Sequence, residues 1–548
     1  MFIIFIIIAI IILMGGIVAF DSSRSKNSIE RFLNSSYGNV HENLEERYER
    51  IDEAARLYIH DTKDVPETDL IDDITWDDLG MDEIFVSADH TDSFAGAQYL
   101  YSVMRRLDAD EKTLAEHDRR ADFFDKNDEK RMKVRKAIYS IGQSYSGFRL
   151  VENLEEIGSK HLKYRRIFPL LGLLLLIIAA AAVITRDPIV MFIAIILLTV
   201  NLIVHTFAKN SVDKSLQTIF NAAAVVSTAK QISEEVPEFS EDIKPDIGKM
   251  SVMLNRSRYL ILEKNAEITK NTVMNLLFFI LNIFMTDLFF YDILIDEIER
   301  RKAEMLRLYR FTGSIDYDIS LASYRRYIGD HCIPEFTDQP EVRLKGVCHP
   351  MITDAVRNDF SYSRSTIITG SNASGKSTFI KSVALALILG QTLHTCHAES
   401  AVLPRCGVMT SMAVRDDIHS GESYYIREIR YLKRMVELCK NGKLLFLAVD
   451  EILRGTNTRE RIAASKAVME YFSKQNCMFI VATHDMELAE YFRDRCENCH
   501  FSEKVGDGDV VFDYKLHEGI STTSNAIRLL GAMGFPDAIV ETAKKYTE

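Results

Sequence analysis

The sequence predicts an α/β domain with a mostly parallel sheet, C-terminal to an all-α region, with transmembrane helices in the N-terminal part of the chain. Three observations predict it. Residues 365–387 read as strand, glycine loop and helix. Two further apolar runs, 444–449 and 478–483, have strand length and end in Asp450-Glu451 and in His484. Continuous apolar runs of that length suit strands buried on both faces of a parallel sheet. Upstream, long apolar blocks are separated by polar stretches of helical pattern.

The bulk properties set bounds. A chain of 548 residues is too long for one core. Its formal net charge of −13 argues against a surface covered in nucleic-acid-binding groups, though a local basic patch stays open. All eight cysteines lie between Cys332 and Cys499, scattered as in a protein with reduced cytosolic thiols.

Taken in order, residues 1–20 read as a transmembrane anchor. Residues 2–20 carry no charge and just span a bilayer core. A cleaved signal peptide is the rival, but no Lys or Arg precedes the run and Ala-x-Ala spacing is missing at its end. Arg24, Lys26 and Arg31 follow, which places the rest of the chain in the cytoplasm. Residues 21–165 form a polar, mostly helical region. Within it, the acidic run 71–79 holds the single Trp and reads as helix caps in a solvated turn rather than as a metal or acid–base site. Residues 96–104 read as an amphipathic helix. The basic run 129–136 reads as a solvated helix face rather than a nucleic-acid contact.

Residues 166–208 read as a transmembrane helical hairpin, with apolar runs 167–184 and 189–207 joined only by Thr185-Arg186-Asp187-Pro188. Lys160, Lys163, Arg165 and Arg166 precede it, and Lys209 and Lys214 follow. Both ends are therefore expected in the cytoplasm, in agreement with the first anchor. The chain is accordingly expected in the cell membrane as a multi-pass protein touching membrane lipid. A fourth apolar stretch, 273–294, contains Asn275, Asn282, Asp287 and Asp292. It reads as a buried core helix, near the membrane surface if not within the protein. It belongs to a helical region 209–340 that ends in the helix-breaking Ile333-Pro334 and Gln339-Pro340.

Residues 341–548 carry the chemistry. Gly370-Ser371-Asn372-Ala373-Ser374-Gly375-Lys376-Ser377 follows a β-branched strand and opens a helix, the context in which this spacing binds phosphate. Gly370 and Gly375 let the backbone wrap an anion, and the helix start adds its positive end. Lys376 can reach the β- and γ-phosphates, and the Ser377 hydroxyl can ligate Mg²⁺. Asp450 is placed to hold Mg²⁺, and Glu451 to polarise an attacking water. His484, at the carboxyl end of the next strand, reads as a phosphate sensor, with a structural histidine as the alternative. Gly421 and Ser423 precede the helix 424–438. A serine there offers its hydroxyl and free N–H groups to an anion, and in a dimer could cap the ATP of the other subunit.

These motifs resemble the ATPase domain of the MutS family of DNA mismatch-repair proteins. The resemblance lies in 369–379, in Asp450-Glu451-Ile452-Leu453-Arg454-Gly455-Thr456 and in Thr483-His484-Asp485. The D-E-x-x-R-G-T run separates the domain from ABC transporters, which it otherwise resembles. His349-Pro350, Asn358-Asp359, Tyr514–Gly519 and Ala532–Pro536 match further family elements. The resemblance is strong over 341–548 and weaker over 70–150 and 250–327, which are similar to the family's helical core and lever region. It implies a homodimer through ATPase domains with ATP and Mg²⁺ in a composite site. Asn372, Gly375, Lys376, Ser377 and Thr378 would bind phosphate and metal. Asp450 and Glu451 would serve metal and water, His484 would be the switch histidine, and Ser423 and Gly421 would come from the opposing subunit. The family's S-T-F reads Ser423-Tyr424-Tyr425 here.

Cys496-Glu497-Asn498-Cys499-His500 has the spacing of a haem attachment, but Asn498 and His500 coincide with a family N-x-H element. Phe239-Ser240-Glu241 has the letters of the family's mismatch reader in the wrong context. The resemblance implies a mismatch-repair ATPase that binds mismatched or structured DNA. The alternative is a non-DNA mechanical ATPase, or a membrane scaffold, acting on protein or lipid partners. An ABC-type transporter is disfavoured, because two or three spans per chain enclose no translocation path.

Overall fold

The structure is a computed structural model and describes residues 28–39, 44–268, 272–362, 364–371, 374–412, 424–505, 510–520, 530 and 534–546. The first expected anchor, 1–20, lies outside the described residues. So do Asn372, Gly421 and Ser423. The chain divides into a helical unit (residues 1–63, 89–101 and 120–323) and an α/β unit (64–88, 102–119 and 324–548). The α/β unit thus takes in three segments, 64–88, 102–119 and 324–340, that the sequence reading groups with the helical regions.

Among the described residues of the α/β unit, ten strands build two sheets. They are β1 (Glu335–Thr337), β2 (Val342–Val347), β3 (Asn358–Tyr362), β4 (Thr366–Thr369) and β5 (Ser400–Pro404), then β6 (Gly407–Ser411), β7 (Leu445–Asp450), β8 (Cys477–Thr483), β9 (Glu497–Val505) and β10 (Val510–Glu518). The larger sheet has the order β10-β9-β4-β8-β7-β6. It is parallel except for the antiparallel pair β9–β10 at one edge. Leu445, Phe446, Leu447, Phe479 and Ile480 are fully buried, as expected of strands covered on both faces. The smaller sheet, β1-β5-β2-β3, is mostly antiparallel.

The acidic run 71–79 forms the helix Asp73–Leu79, and the Asp72 carboxylate caps it by accepting from the Thr75 N–H at 2.7 Å. The helix is only partly solvated: Asp73 and Asp77 are exposed, but the opposite side is covered. Trp76 is buried, and Asp78 accepts from the Thr410 hydroxyl of β6 at 2.7 Å and from the Met412 N–H at 2.9 Å.

Among the described residues, the helical unit holds two helices long and apolar enough to cross a bilayer, Ile167–Thr185 and Pro188–Val212, with mean hydropathy 2.9 and 2.5. The second belongs to one unbroken helix, Pro188–Glu235, started by Pro188 and capped by Asp187. Two expectations fail here. The run 273–294 is not one buried core helix, although its second part buries Leu288, Tyr291 and Leu294. It splits into Thr272–Asn282 and Thr286–Arg300, bent by 77° where Met285 adopts a left-handed conformation. The first piece buries Phe278 and Asn282 and leaves Val273, Leu276, Leu277, Phe279 and Ile280 exposed, because too few neighbouring elements cover so short a helix. The basic run 129–136 is only partly a solvated face. Lys130, Lys133 and Lys136 face outward, but Arg131 and Arg135 are buried in the helix Asp128–Tyr139. Arg135 grips Asp92 through two bonds of 2.7 and 3.0 Å. Asp92 is too distant in sequence to be seen as its partner.

Candidate phosphate-loop site

The loop follows β4, whose four residues are all buried between β8 and β9. Gly370 (φ 140°) and Gly375 (φ 101°) occupy backbone conformations that favour glycine. Space adds to the demand at Gly370, where a Cβ would come within 2.9 Å of the Phe501 carbonyl oxygen. The helix Lys376–Thr392 then begins, so the loop opens onto a helix N-terminus. Lys376 is 1% exposed, and its ammonium donates to the Gly370 and Ser371 carbonyls at 2.6 Å each. The positive charge is thus fixed across the mouth of the loop by backbone oxygens. Thr378, in the first turn, lines the neighbouring cavity.

The sheet order brings the ends of β7 and β8 alongside this loop. The Ser377 hydroxyl donates to an Asp450 carboxylate oxygen at 2.6 Å. Glu451, just past β7, sits at φ 66°, a costly backbone state for a residue with a Cβ. Its N–H still bonds to the Ala482 carbonyl of β8 at 3.0 Å, which sets the side chain beside His484. His484 Nε2 lies 2.7 Å from Glu451 Oε1. Burial pushes the Glu451 carboxyl up. The hydrogen bond from His484 and the charges of Arg454, His484 and Lys376 outweigh burial and hold it below the usual carboxylate range.

The structure therefore brings together Gly370, Gly375, Lys376, Ser377, Asp450, Glu451 and His484. Sequence reasoning assigned no role to Arg454, whose guanidinium pairs with Glu451 and lies 3.4 Å from Asp450. The signal was present as the arginine of D-E-x-x-R-G-T. The pairing depends on a fold-back through left-handed Glu451 and Leu453, which residue types do not reveal. Glu428 was also missed. It lies on the helix Tyr424–Leu438, is buried, and accepts from the N–H groups of Arg454 and Gly455 at 3.2 and 3.3 Å.

Beside the loop lies a cavity of about 520 Å³ lined by His349, Val356, Gly375, Thr378, Phe379 and Tyr514. Burial and the nearby Lys381 charge depress His349 to about 4, so its ring is neutral at pH 7. Asn358 holds one wall, donating to the Tyr514 carbonyl at 3.0 Å and accepting from the Leu516 N–H at 2.8 Å. A cavity lined mostly by aromatic and apolar groups, with Asp354 in its wall, next to a cationic phosphate cradle matches a nucleotide's base and phosphates. In the C-x-x-C-H stretch, burial raises the Cys496 and Cys499 thiols to about 11. Asn498 donates to the Ala489 carbonyl at 3.3 Å.

A glycine loop closed by Lys376, the Ser377–Asp450 pair and a Glu–His pair at one end of a mostly parallel sheet have the arrangement of a phosphate-loop nucleotide-binding domain. Comparison with known proteins narrows it. Residues 366–548 match the family model for MutS domain V. The chain is 31% identical over 266 residues to the DNA mismatch repair protein MutS of Pseudothermotoga lettingae, covering 46% of this chain and 32% of the relative. It is 29% identical over 254 residues to MutS of Thermus thermophilus, covering 45% and 31%. Against the DNA mismatch repair protein MSH3 of Phaeosphaeria nodorum it is 30% identical over 267 residues, covering 46% and 24%. The chain thus spans about a third or less of the length of these curated relatives. Its C-terminal part is MutS-like.

Proposed function

We propose that the chain is a membrane-anchored MutS-family ATPase that works as a dimer. The observation that carries this reading is the convergence of Lys376, the Ser377–Asp450 pair and the Glu451–His484 pair on one glycine loop. The loop N–H groups and Lys376 hold the phosphates of ATP, and the aromatic cavity takes its base. Ser377 and Asp450 would hold Mg²⁺, which supplies charge neutralisation on the phosphates. Glu451, kept ionised by His484 and Arg454, accepts a proton from water as the water oxygen bonds to the γ-phosphorus. The bond from that phosphorus to the bridging oxygen breaks, releasing ADP and phosphate. His484 links the state of Glu451 to the rest of the strand end, and Arg454 orients both carboxylates. Gly421 and Ser423 of an opposing subunit complete the site, so ATP binding closes a homodimer and hydrolysis reopens it.

The relatives' names support DNA as the partner, in mismatch repair. The hairpin 167–212 supports a place in the cell membrane, touching lipid and leaving the ATPase in the cytoplasm. Its exposed apolar surface also favours a second reading, in which the same cycle drives protein or lipid partners. ATP turnover by the purified full chain, measured with homoduplex, mismatched and branched DNA, separates them. Stimulation together with salt-sensitive DNA binding is the expected result. Turnover indifferent to every DNA would refute the DNA reading and leave the second.

A further inference from the structure

The helix Thr272–Asn282 presents a physical problem if it faces water. It has no charged residue, and Val273 (77% exposed), Leu276, Leu277, Phe279 and Ile280 look outward on more than one side. A helix lying on a membrane surface keeps a charged or polar face toward water; this one has no charge, and on its polar side Asn282 is buried against Tyr259 and Glu263. Nor can it cross a bilayer. Eleven residues give about 16 Å of helix against a hydrocarbon core of about 30 Å.

The chain is instead built to turn inside the apolar zone of the hairpin. At the bend, the buried Asn201 amide donates to the Leu171 and Ile283 carbonyls at 3.3 and 3.2 Å, and the Thr286 hydroxyl donates to the Leu281 carbonyl. These bonds satisfy backbone oxygens that a break in hydrocarbon would leave bare. Gly172 makes room for the turn, since a Cβ there would lie 2.1 Å from the Phe284 carbonyl oxygen. Depth follows from helix rise. Gly172 is about 8 Å beyond Ile167, and Asn201 about 12 Å before Lys209, so the turn lies within half the core thickness.

Both ends return to the side where the hairpin starts and finishes. Before the bend, Glu263 pairs with Lys209. After it, Asp287 meets His205 at 2.8 Å, Asp292 meets His161 at 3.0 Å, and Asp296 meets Arg165 at 2.9 Å. The partners gather at the hairpin's two polar ends, His205 and Lys209 at one and His161 and Arg165 at the other.

We propose that residues 272–289 form a one-leaflet insertion: a short helix immersed among the acyl chains of the leaflet facing the hairpin's ends, turning back at 283–285 without crossing. This rests on the reading that the hairpin spans the bilayer, whose outer apolar surface it continues. The test is quenching of tryptophan emission in the full chain reconstituted in phosphatidylcholine vesicles, above the wild-type Trp76 baseline. Lipids carry bromine either near the headgroup or near the tail end of the acyl chain. Leu277→Trp reports the insertion and Leu176→Trp the hairpin; both side chains are exposed. The inference expects loss of emission from Leu277→Trp mainly with the shallow quencher, and from Leu176→Trp with the deep one. Quenching of Leu176→Trp but not Leu277→Trp overturns the insertion and leaves the anchor standing. Strongest quenching of Leu277→Trp by the deep label means a broken span and also overturns it. No quenching of either overturns the membrane reading and the insertion together.

Discussion

The two units use the same charged side chains to opposite ends. In the helical unit, Asp92 and Arg135 are each 3% exposed and locked to one another by two bonds. Asp316, fully buried beside Asp92, is pushed up to about 8 by burial and by that neighbour's charge. It accepts from Ser93 and from the Asp92 N–H, so every partner comes from within the fold. In the α/β unit, His484 stays 39% exposed and Glu451 15%, and their partners belong to a strand end that opens on a loop and a cavity. A closed charge network fixes helices. A charge cluster with one open side is available for chemistry.

The largest effect that would sharpen this contrast is expected from Arg135→Met. It leaves Asp92 buried and unpaired, which costs about 3–5 kcal/mol. Denaturant unfolding of the helical unit should shift by that amount with ATP turnover per folded molecule unchanged; a shift below about 1 kcal/mol would break the contrast. A smaller effect is expected from pH. In the α/β unit, burial first and then nearby positive charge depress both His349 and His397 to about 4. Unfolded histidines titrate near 6.5, so the unfolded chain binds more protons between these values. Stability from this source is complete above pH ~6.5 and lost as pH falls toward 4. His349→Gln with His397→Gln should flatten that slope in thermal unfolding across the window, and an unchanged slope would assign the loss elsewhere.

Local chemistry made much of the site legible. A phosphate loop, its strand and its helix are contiguous, so Gly370, Gly375, Lys376 and Ser377 could be placed by spacing alone, and the helix Tyr424–Leu438 by its pattern. Asp450 and His484 could be placed because strand ends in a parallel sheet gather on one side. Illegible were features that depend on partners far along the chain. Arg135 looked solvated because Asp92 lies forty-three residues away. The run 273–294 looked like one core helix because hydropathy does not record what covers a surface. Its break at Met285, met by Asn201 and Gly172, appears only in three dimensions.

The central claim is that Glu451, held ionised beside His484, activates water for ATP hydrolysis. The most direct measurement is steady-state ATP turnover and ATP affinity of purified Glu451→Gln beside wild type. The substitution keeps the side chain's shape and removes its basicity. Turnover is expected to fall about 100-fold or more with ATP affinity retained, leaving a long-lived ATP-bound species. Turnover equal to wild type would contradict the role assigned to Glu451 and the reading of the site built on it.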